Sequence, residues 1–236
     1  MRYAVYFTPG RNDALTDAAA TWLGRDAYDN CDVPWPADSG LDEDEWRSLT
    51  AEPRRYAFHA TLKAPFALAD GRTETELVEA VNAFAAKTAA FDIPALTVAG
   101  LGPFFALVPV DEDAGLEAFA STVVEAFEPF RAPLSAADIA RRNPDNLTER
   151  QRIYLDRYGY PYVMEEFRFH MTLTGPVAPE RREAVHTLLS HRFAAFLGKP
   201  RRIDALTIFV ETARGEPFRV HQRIPLATDL ENRVVN

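Results

Sequence analysis

Two short segments of the chain carry the same pair of chemically active side chains, a histidine followed two residues later by a threonine. They are His59 with Thr61 and His170 with Thr172, and the two histidines lie 111 residues apart. A neutral imidazole can accept a proton from an attacking water or hydroxyl, and a protonated imidazole can donate one to a leaving oxygen. Two histidines on opposite sides of one phosphorus atom would supply both roles without a metal.

The residues next to the histidines suit an anionic phosphate. Alternate side chains of a β-strand share a face, so His59, Thr61 and Lys63 are expected to point the same way. We expect the hydroxyls of Thr61 and Thr172 to bind non-bridging phosphate oxygens, and Lys63 to stabilise charge that develops in the transition state. The residues alone leave open which histidine is the base and which is the acid.

The sequence around the two motifs is itself repeated. Residues 58–65 (FHATLKAP) and 169–176 (FHMTLTGP) agree at five of eight positions, and the ALT of 95–97 recurs at 205–207. Apolar residues at helical spacing follow each motif, near 77–85 and 185–193. Each copy therefore predicts a strand, a helix and a strand pair, the pairs being 93–100 with 104–110 and 203–212 with 218–226.

This duplication predicts an α+β fold with bilobal, duplicated antiparallel sheets and flanking helices around a central cleft. We predict one bilobal domain over residues 1–236, with a first lobe over 1–130 and a second over 167–227. Residues 131–166 have no counterpart and are expected to form a helical insertion. Ser135 should begin one of its helices, and Thr148 with Gln151 forms a capping box for the next. The insertion can wall the cleft or serve only as packing.

The two motifs also resemble those of a known superfamily. Residues 54–66 (RRYAFHATLKAPF) and 160–175 (YPYVMEEFRFHMTLTG) are similar to the paired motifs of the two-histidine (2H) phosphoesterases. Within it, the chain resembles a bacterial branch associated with phosphonate-metabolism genes and described as a domain of unknown function. The resemblance covers roughly residues 2–226. It implies that His59 and His170 are catalytic, that Thr61 and Thr172 bind phosphate, and that the function is linked to phosphonate metabolism.

Composition narrows the class of partner. The formal net charge is −9, whereas proteins that grip long nucleic acids usually present a strongly basic face. A small phosphorylated substrate in a locally basic cleft is therefore expected. No apolar run approaches the roughly 20 residues needed to cross a bilayer, so no membrane partner is expected. The single cysteine, Cys31, excludes an internal disulfide framework, and the cytoplasm is the simplest compartment.

No cofactor is expected, because no His-x-His, Cys-x-x-Cys or carboxylate cluster indicates a metal centre. The sequence thus predicts a phosphoric diester hydrolase that opens a small, cyclic phosphodiester by two-histidine acid–base catalysis. Two alternatives stay open: an RNA-end 2′,3′-cyclic phosphodiesterase or ligase, and a non-catalytic phosphate-binding protein. Tyr6 is compatible with the border of the cleft or with the core. The substrate and the oligomeric state are not predicted.

Overall fold

The computed structural model describes residues 1–228, and the last part of the predicted domain, 229–236, lies outside this described part. The strands are β1 (Arg2–Phe7), β2 (Arg25–Asp26), β3 (Cys31–Asp32), β4 (Ala60–Phe66), β5 (Phe91–Ile93), β6 (Leu96–Leu101), β7 (Phe104–Pro109), β8 (Met171–Thr172), β9 (Arg201–Ile203), β10 (Ala205–Glu211) and β11 (Arg219–Pro225). The helices are α1 (Ala14–Leu23), α2 (Glu43–Tyr56), α3 (Glu74–Ala85), α4 (Ala114–Phe127), α5 (Ala136–Ala140), α6 (Glu149–Tyr158) and α7 (Arg182–Arg192). The fold is α+β, as predicted.

A seven-stranded sheet organises the molecule, with the strand order β11-β10-β1-β4-β8-β7-β6. All of its paired strands are antiparallel. Both predicted strand pairs form, β6 with β7 and β10 with β11. The two strands that carry the histidine motifs, β4 and β8, are neighbours at the middle of this sheet, where Ala60 pairs with Met171.

The sheet does not divide where the sequence copies divide. Strand β4 of the first copy lies on the side of β1, β10 and β11, so it joins the strand pair of the second copy. Strand β8 of the second copy lies beside β7 and β6, the strand pair of the first. Residues 1–130 and 167–227 therefore do not form separate sheets, and each half of the sheet contains strands from both copies. The sequence pattern predicts the strands, but it does not determine which strand pair each motif strand lies beside in the sheet.

Local signals account for most helix boundaries. Helix α1 begins after Asp13, whose side chain accepts a hydrogen bond from the Leu15 amide, and ends at Gly24 in the left-handed conformation. In the predicted insertion, Ser135 caps α5, and the capping box of Thr148 with Gln151 opens α6. No helix of the described residues is long and apolar enough to cross a membrane.

Two buried tryptophans tie the helices to the motif strand β8. Trp22 on α1 donates its indole N–H to the carbonyl of Leu173 at 2.8 Å, and Trp46 on α2 donates to the carbonyl of Trp22 at 2.6 Å. Both side chains are almost fully buried. Leu173 directly follows Thr172, so these bonds fix the backbone beside the second motif.

We expect Trp22→Phe to lower the free energy of unfolding by about 1–3 kcal/mol, because the Leu173 carbonyl would be left buried without its donor. Urea unfolding followed by circular dichroism measures this loss. Trp35→Phe is the matched control, since Trp35 is only partly buried, and it should cost less than about 1 kcal/mol. Equal losses in both variants would show that the Trp22 hydrogen bond has no special role.

Candidate active site

One cleft of about 370 Å³ lies over the junction of β4 and β8. Its walls include all four residues of the two motifs, namely His59, Thr61, His170 and Thr172. Both histidines are half-buried, so each ring is held by the protein and still reaches the cleft. The structure therefore brings together side chains that are more than a hundred residues apart in sequence.

The antiparallel register explains this meeting. Ala60 pairs with Met171, and extending that register by one residue each way sets His59 opposite Thr172 and Thr61 opposite His170. Each histidine thus faces the threonine of the other motif. Diagonal neighbours across antiparallel strands have α-carbons about 7–8 Å apart, so the two histidines are close neighbours on one face of the sheet.

The two imidazoles are oriented by the same hydrogen bond. The Nδ1–H of His59 donates to the carbonyl of Ala57 at 2.9 Å, and the Nδ1–H of His170 donates to the carbonyl of Arg168 at 2.8 Å. A carbonyl oxygen only accepts, so in the neutral ring this bond places the proton on Nδ1. Nε2 is then the basic nitrogen in both rings, and in His59 it lies 3.2 Å from the Thr61 hydroxyl.

His59 is further held by an aromatic ring. Tyr6 on β1 stacks on its imidazole with ring centroids 3.7 Å apart and an interplanar angle of 18°. Tyr6 is itself buried against Phe209, so it belongs both to the core and to the wall of the cleft. This contact fixes the plane of the imidazole.

Burial sets the charge state of the two histidines. It lowers the pKa of His59 to about 4, with a smaller contribution in the same direction from the charge of His170. Burial also lowers the pKa of His170 from its ordinary value, while the Arg168 carbonyl acts in the opposite direction. His59 is therefore neutral at pH 7 and able to accept a proton.

Backbone strain accompanies the position of His59. Ala57 has φ 64° and ψ 178°, a region that glycine adopts and that costs other residues about 1–3 kcal/mol. Its methyl group is buried among Tyr6, Phe209 and Phe218, and its carbonyl is the one that accepts from His59. The packing that holds Ala57 in this conformation therefore also orients the catalytic candidate.

The structure corrects the placement of Lys63. Tyr6 pairs with Thr61 and Val5 pairs with Lys63, so one step along β1 matches two steps along β4. This bulge shifts the alternation of side chains by one residue. Lys63 is consequently buried on the opposite face, where it donates to the carbonyl of Val124 at 3.0 Å and pairs with Glu128. It does not line the cleft and is not positioned to bind phosphate there.

Several cleft residues had no clear signal in the sequence. Arg2, Tyr56, Arg142 and Tyr160 all line the cleft. Tyr56 and Tyr160 lie inside the two segments that carry the family resemblance. This resemblance is the one sequence feature that associates them with the site. Arg142 and Tyr160 belong to the helical insertion, so this segment forms a wall of the cleft.

The remaining histidines lie elsewhere. Nε2 of His186 lies 3.2 Å from the carbonyl oxygen of Val98, and Nε2 of His221 lies 3.3 Å from Oε1 of Glu74. His191 lines a separate, open surface cavity of about 1130 Å³. Within residues 1–228 there is no group of three or more His, Cys, Asp or Glu side chains placed to hold a metal ion.

The fold and the cleft define a class of protein: a mixed α+β chain with a central antiparallel sheet and paired His-x-Thr segments at its middle. Residues 61–219 match a family described as "Protein of unknown function (DUF1045)". The match covers more than half of the chain. The chain belongs to the DUF1045 family.

Two curated relatives are similar over almost the whole chain. One, from Janthinobacterium sp. (strain Marseille), is 40% identical over 233 residues, which is 96% of this chain and 51% of the relative. The other, from Laribacter hongkongensis (strain HLHK9), is 33% identical over 221 residues, which is 93% of this chain and 50% of the relative. Both bear the name "Ribose 1,5-bisphosphate phosphokinase PhnN". The chain spans about half the length of these relatives.

A solved structure, that of TT0787 from Thermus thermophilus, has a TM-score of 0.46 and 16% identity to this chain. The alignment covers 96% of this chain and 98% of that one.

We expect Lys63→Met to lower the free energy of unfolding by about 1–3 kcal/mol, because it removes a buried cation from Glu128 while Arg131 still pairs with that carboxylate. The affinity for inorganic phosphate, measured by calorimetric titration, should stay within about twofold. Lys87→Met is the matched control, since Lys87 is exposed, and it should change stability by less than about 0.5 kcal/mol. A tenfold loss of phosphate affinity in Lys63→Met would show that Lys63 does contribute to phosphate binding.

Proposed function

We propose that this chain is a phosphodiesterase that opens a small cyclic phosphodiester by acid–base catalysis with two histidines. The observation that carries the proposal is the pairing of His59 and His170 in one cleft, each with Nδ1 bonded to the carbonyl two residues before it. This leaves Nε2 of His170 for the substrate, whereas Nε2 of His59 meets the Thr61 hydroxyl, which in this proposal turns to a phosphate oxygen when substrate binds. The same arrangement supports assigning the chain to the two-histidine phosphoesterases, as the sequence resemblance implies.

In the proposed reaction, His59 is the base and His170 is the acid. Nε2 of neutral His59 takes a proton from water as the water oxygen attacks phosphorus. The bond from phosphorus to the ring oxygen on the opposite side breaks, and the Nε2–H of protonated His170 gives its proton to that oxygen. The product is a phosphate monoester with a free hydroxyl, and proton exchange with solvent restores both rings.

The threonines and the protein environment support this chemistry. The hydroxyls of Thr61 and Thr172 line the cleft, and in this proposal they donate to non-bridging phosphate oxygens. Although burial lowers the pKa of His170, a bound phosphodiester anion favours its protonated form. The low pKa of His59, about 4, keeps that ring neutral, which is the form that accepts a proton.

The relatives' name supports a phosphorylated sugar as the class of substrate. It refers to a ribose with two phosphates, and the cleft volume of about 370 Å³ is the size of a small-molecule site. A phosphorylated ribose fits both points, and its cyclic phosphodiester is the form on which the proposed reaction acts.

That name also favours a second candidate, ATP-dependent phosphorylation of ribose 1,5-bisphosphate. The named activity belongs to proteins about twice as long as this chain. Incubating the chain with ATP and ribose 1,5-bisphosphate, and looking for ADP, tests this candidate directly.

We expect hydrolysis of ribose 1,2-cyclic phosphate or of a nucleoside 2′,3′-cyclic phosphate in the presence of EDTA. His59→Ala and His170→Ala should each lower kcat by about 10²–10⁴-fold, the usual contribution of general acid–base catalysis. Release of the monoester, followed by phosphorus NMR, measures the rate. His221→Gln is the matched control, because His221 lies outside the cleft and pairs with Glu74, and it should keep the wild-type rate within about twofold.

Hydrolysis that EDTA abolishes, or that survives both alanine substitutions, would contradict the two-histidine mechanism. Tight binding of the cyclic phosphate without turnover would instead indicate a phosphate-binding protein. Affinity that rises with the length of an RNA oligonucleotide would favour the RNA-end alternative.

The two pKa shifts predict an acidic optimum for kcat/KM. The base must be neutral, so the rate should fall as the pH drops through the pKa of His59, about 4. The acid must be protonated, so the rate should also fall as the pH rises through the pKa of His170, which burial holds below the ordinary 6.5. A profile of kcat/KM from about pH 3.5 to 9, on the same cyclic substrate, should have its maximum between about 4 and 6.5. A plateau that extends to the alkaline end of this range would exclude His170 as the acid.

A further inference from the structure

A second cavity of about 560 Å³ adjoins the cleft. The two spaces share four wall residues, Arg2, Tyr56, Pro65 and Arg142. Arg142 therefore borders both spaces, and a molecule seated over the histidines shares its cleft with Arg142.

This second cavity is basic although the chain as a whole is acidic. Its side chains include five arginines and two carboxylates: Arg2, Arg55, Arg141, Arg142, Arg214, Asp138 and Glu211. Glu211 pairs with Arg2 and Arg55, and Asp138 pairs with Arg141 and Arg214. The two carboxylates thus neutralise only part of the positive charge.

Arg142 differs from the other four arginines. Within residues 1–228 it has no ion pair with a carboxylate, and its guanidinium lies over the ring of Tyr160, 5.0 Å from the ring centroid. Stacking on an aromatic face holds the guanidinium plane without using its N–H groups. The donors of Arg142 are therefore available to an anion, and their direction is set by Tyr160.

Arg142 is also close to the catalytic candidates. Burial raises the pKa of Tyr6 well above its ordinary value, and the charges of Arg2 and Arg142 act on the same phenol in the opposite direction. Tyr6 is the ring that stacks on His59 at 3.7 Å. Arg142, Tyr6 and both histidines line the same cleft, so the charge of Arg142 acts within the site that holds the imidazoles.

We propose that Arg142, with Arg2 beside it, binds a second phosphate group of the substrate, a monoester on the far side of the sugar from the cyclic diester. This inference rests on the proposed function and narrows its substrate class to sugar phosphates that carry both groups. Guanidinium groups bind phosphate through paired N–H donors. It also gives the helical insertion a role, since Arg142 and Tyr160 both come from it.

Binding tests the subsite without requiring turnover. Calorimetric titration of ribose 1,5-bisphosphate and of ribose 1-phosphate compares a ligand with two phosphates to one that lacks the far group. Arg142→Gln should weaken the bisphosphate about 10- to 100-fold, the scale of charge-assisted hydrogen bonds, and leave ribose 1-phosphate within about threefold. Arg150→Gln is the matched control, because Arg150 is an exposed arginine of the same helical insertion, on α6, and lines neither cavity. It should leave both affinities within about threefold.

Arg142→Lys guards against a folding defect. Lysine keeps the positive charge but lacks the planar guanidinium with its paired N–H donors. The affinity for the bisphosphate should therefore fall at least about threefold, while the thermal unfolding midpoint stays unchanged. Equal losses for both ligands in Arg142→Gln, no loss for either, or the same selective loss in Arg150→Gln would each overturn the subsite.

Kinetics separates this inference from the proposed function. Adenosine 2′,3′-cyclic phosphate is compared with the same nucleotide carrying a 5′-phosphate. The extra phosphate should raise kcat/KM about tenfold or more in the wild type and not in Arg142→Gln. Hydrolysis at equal kcat/KM with and without the 5′-phosphate overturns the subsite and leaves the phosphodiesterase intact. Absence of hydrolysis, with the selective binding loss retained, overturns the phosphodiesterase and leaves the subsite intact.

Discussion

The pairing of β4 with β8 holds the two halves of the central sheet together and sets the geometry of the cleft. It consists of a single register pair, Ala60 with Met171, both fully buried. So short a contact is supported from outside the sheet, because Trp22 binds the Leu173 carbonyl and the Gly175 amide donates to the Leu49 carbonyl at 2.6 Å. The position of His170 relative to His59 therefore depends on helices α1 and α2 as much as on the strands.

Local features of the sequence predicted local features of the structure. The caps at Ser135 and Thr148 mark where two helices begin, because a cap acts between residues a few positions apart, and the repeated segments mark the two strand pairs. The His-x-Thr repeat likewise identified the four motif residues that line the cleft. Duplicated sequence indicates equivalent structure, and two equivalent strands that pair antiparallel bring their motifs together.

The features that sequence did not predict arise from contacts across the fold. The bulge in β4 that buries Lys63 appears only in the register with β1, since nothing in residues 60–66 specifies an extra residue. Each motif strand lies in the same half of the sheet as the strand pair of the other copy. This arrangement depends on contacts between strands that are far apart in the sequence. Arg142 acquires its place from the packing of the insertion against the cleft, and the overall charge of −9 gave no sign of the basic cavity beside it.

The exchange of strands has a consequence for how the chain acquires its structure during synthesis. Strand β1 lies between β4 and β10, so one of its edges stays open until residues 205–211 have left the ribosome. At the usual pace of translation, roughly 5–20 residues per second, that interval is about 10–40 s. During it, the apolar strand β1, whose residues end up almost fully buried, presents unpaired N–H and C=O groups, which are a template for pairing with other chains. Nascent chains of this protein are thus exposed to aggregation for as long as β10 has not yet been made.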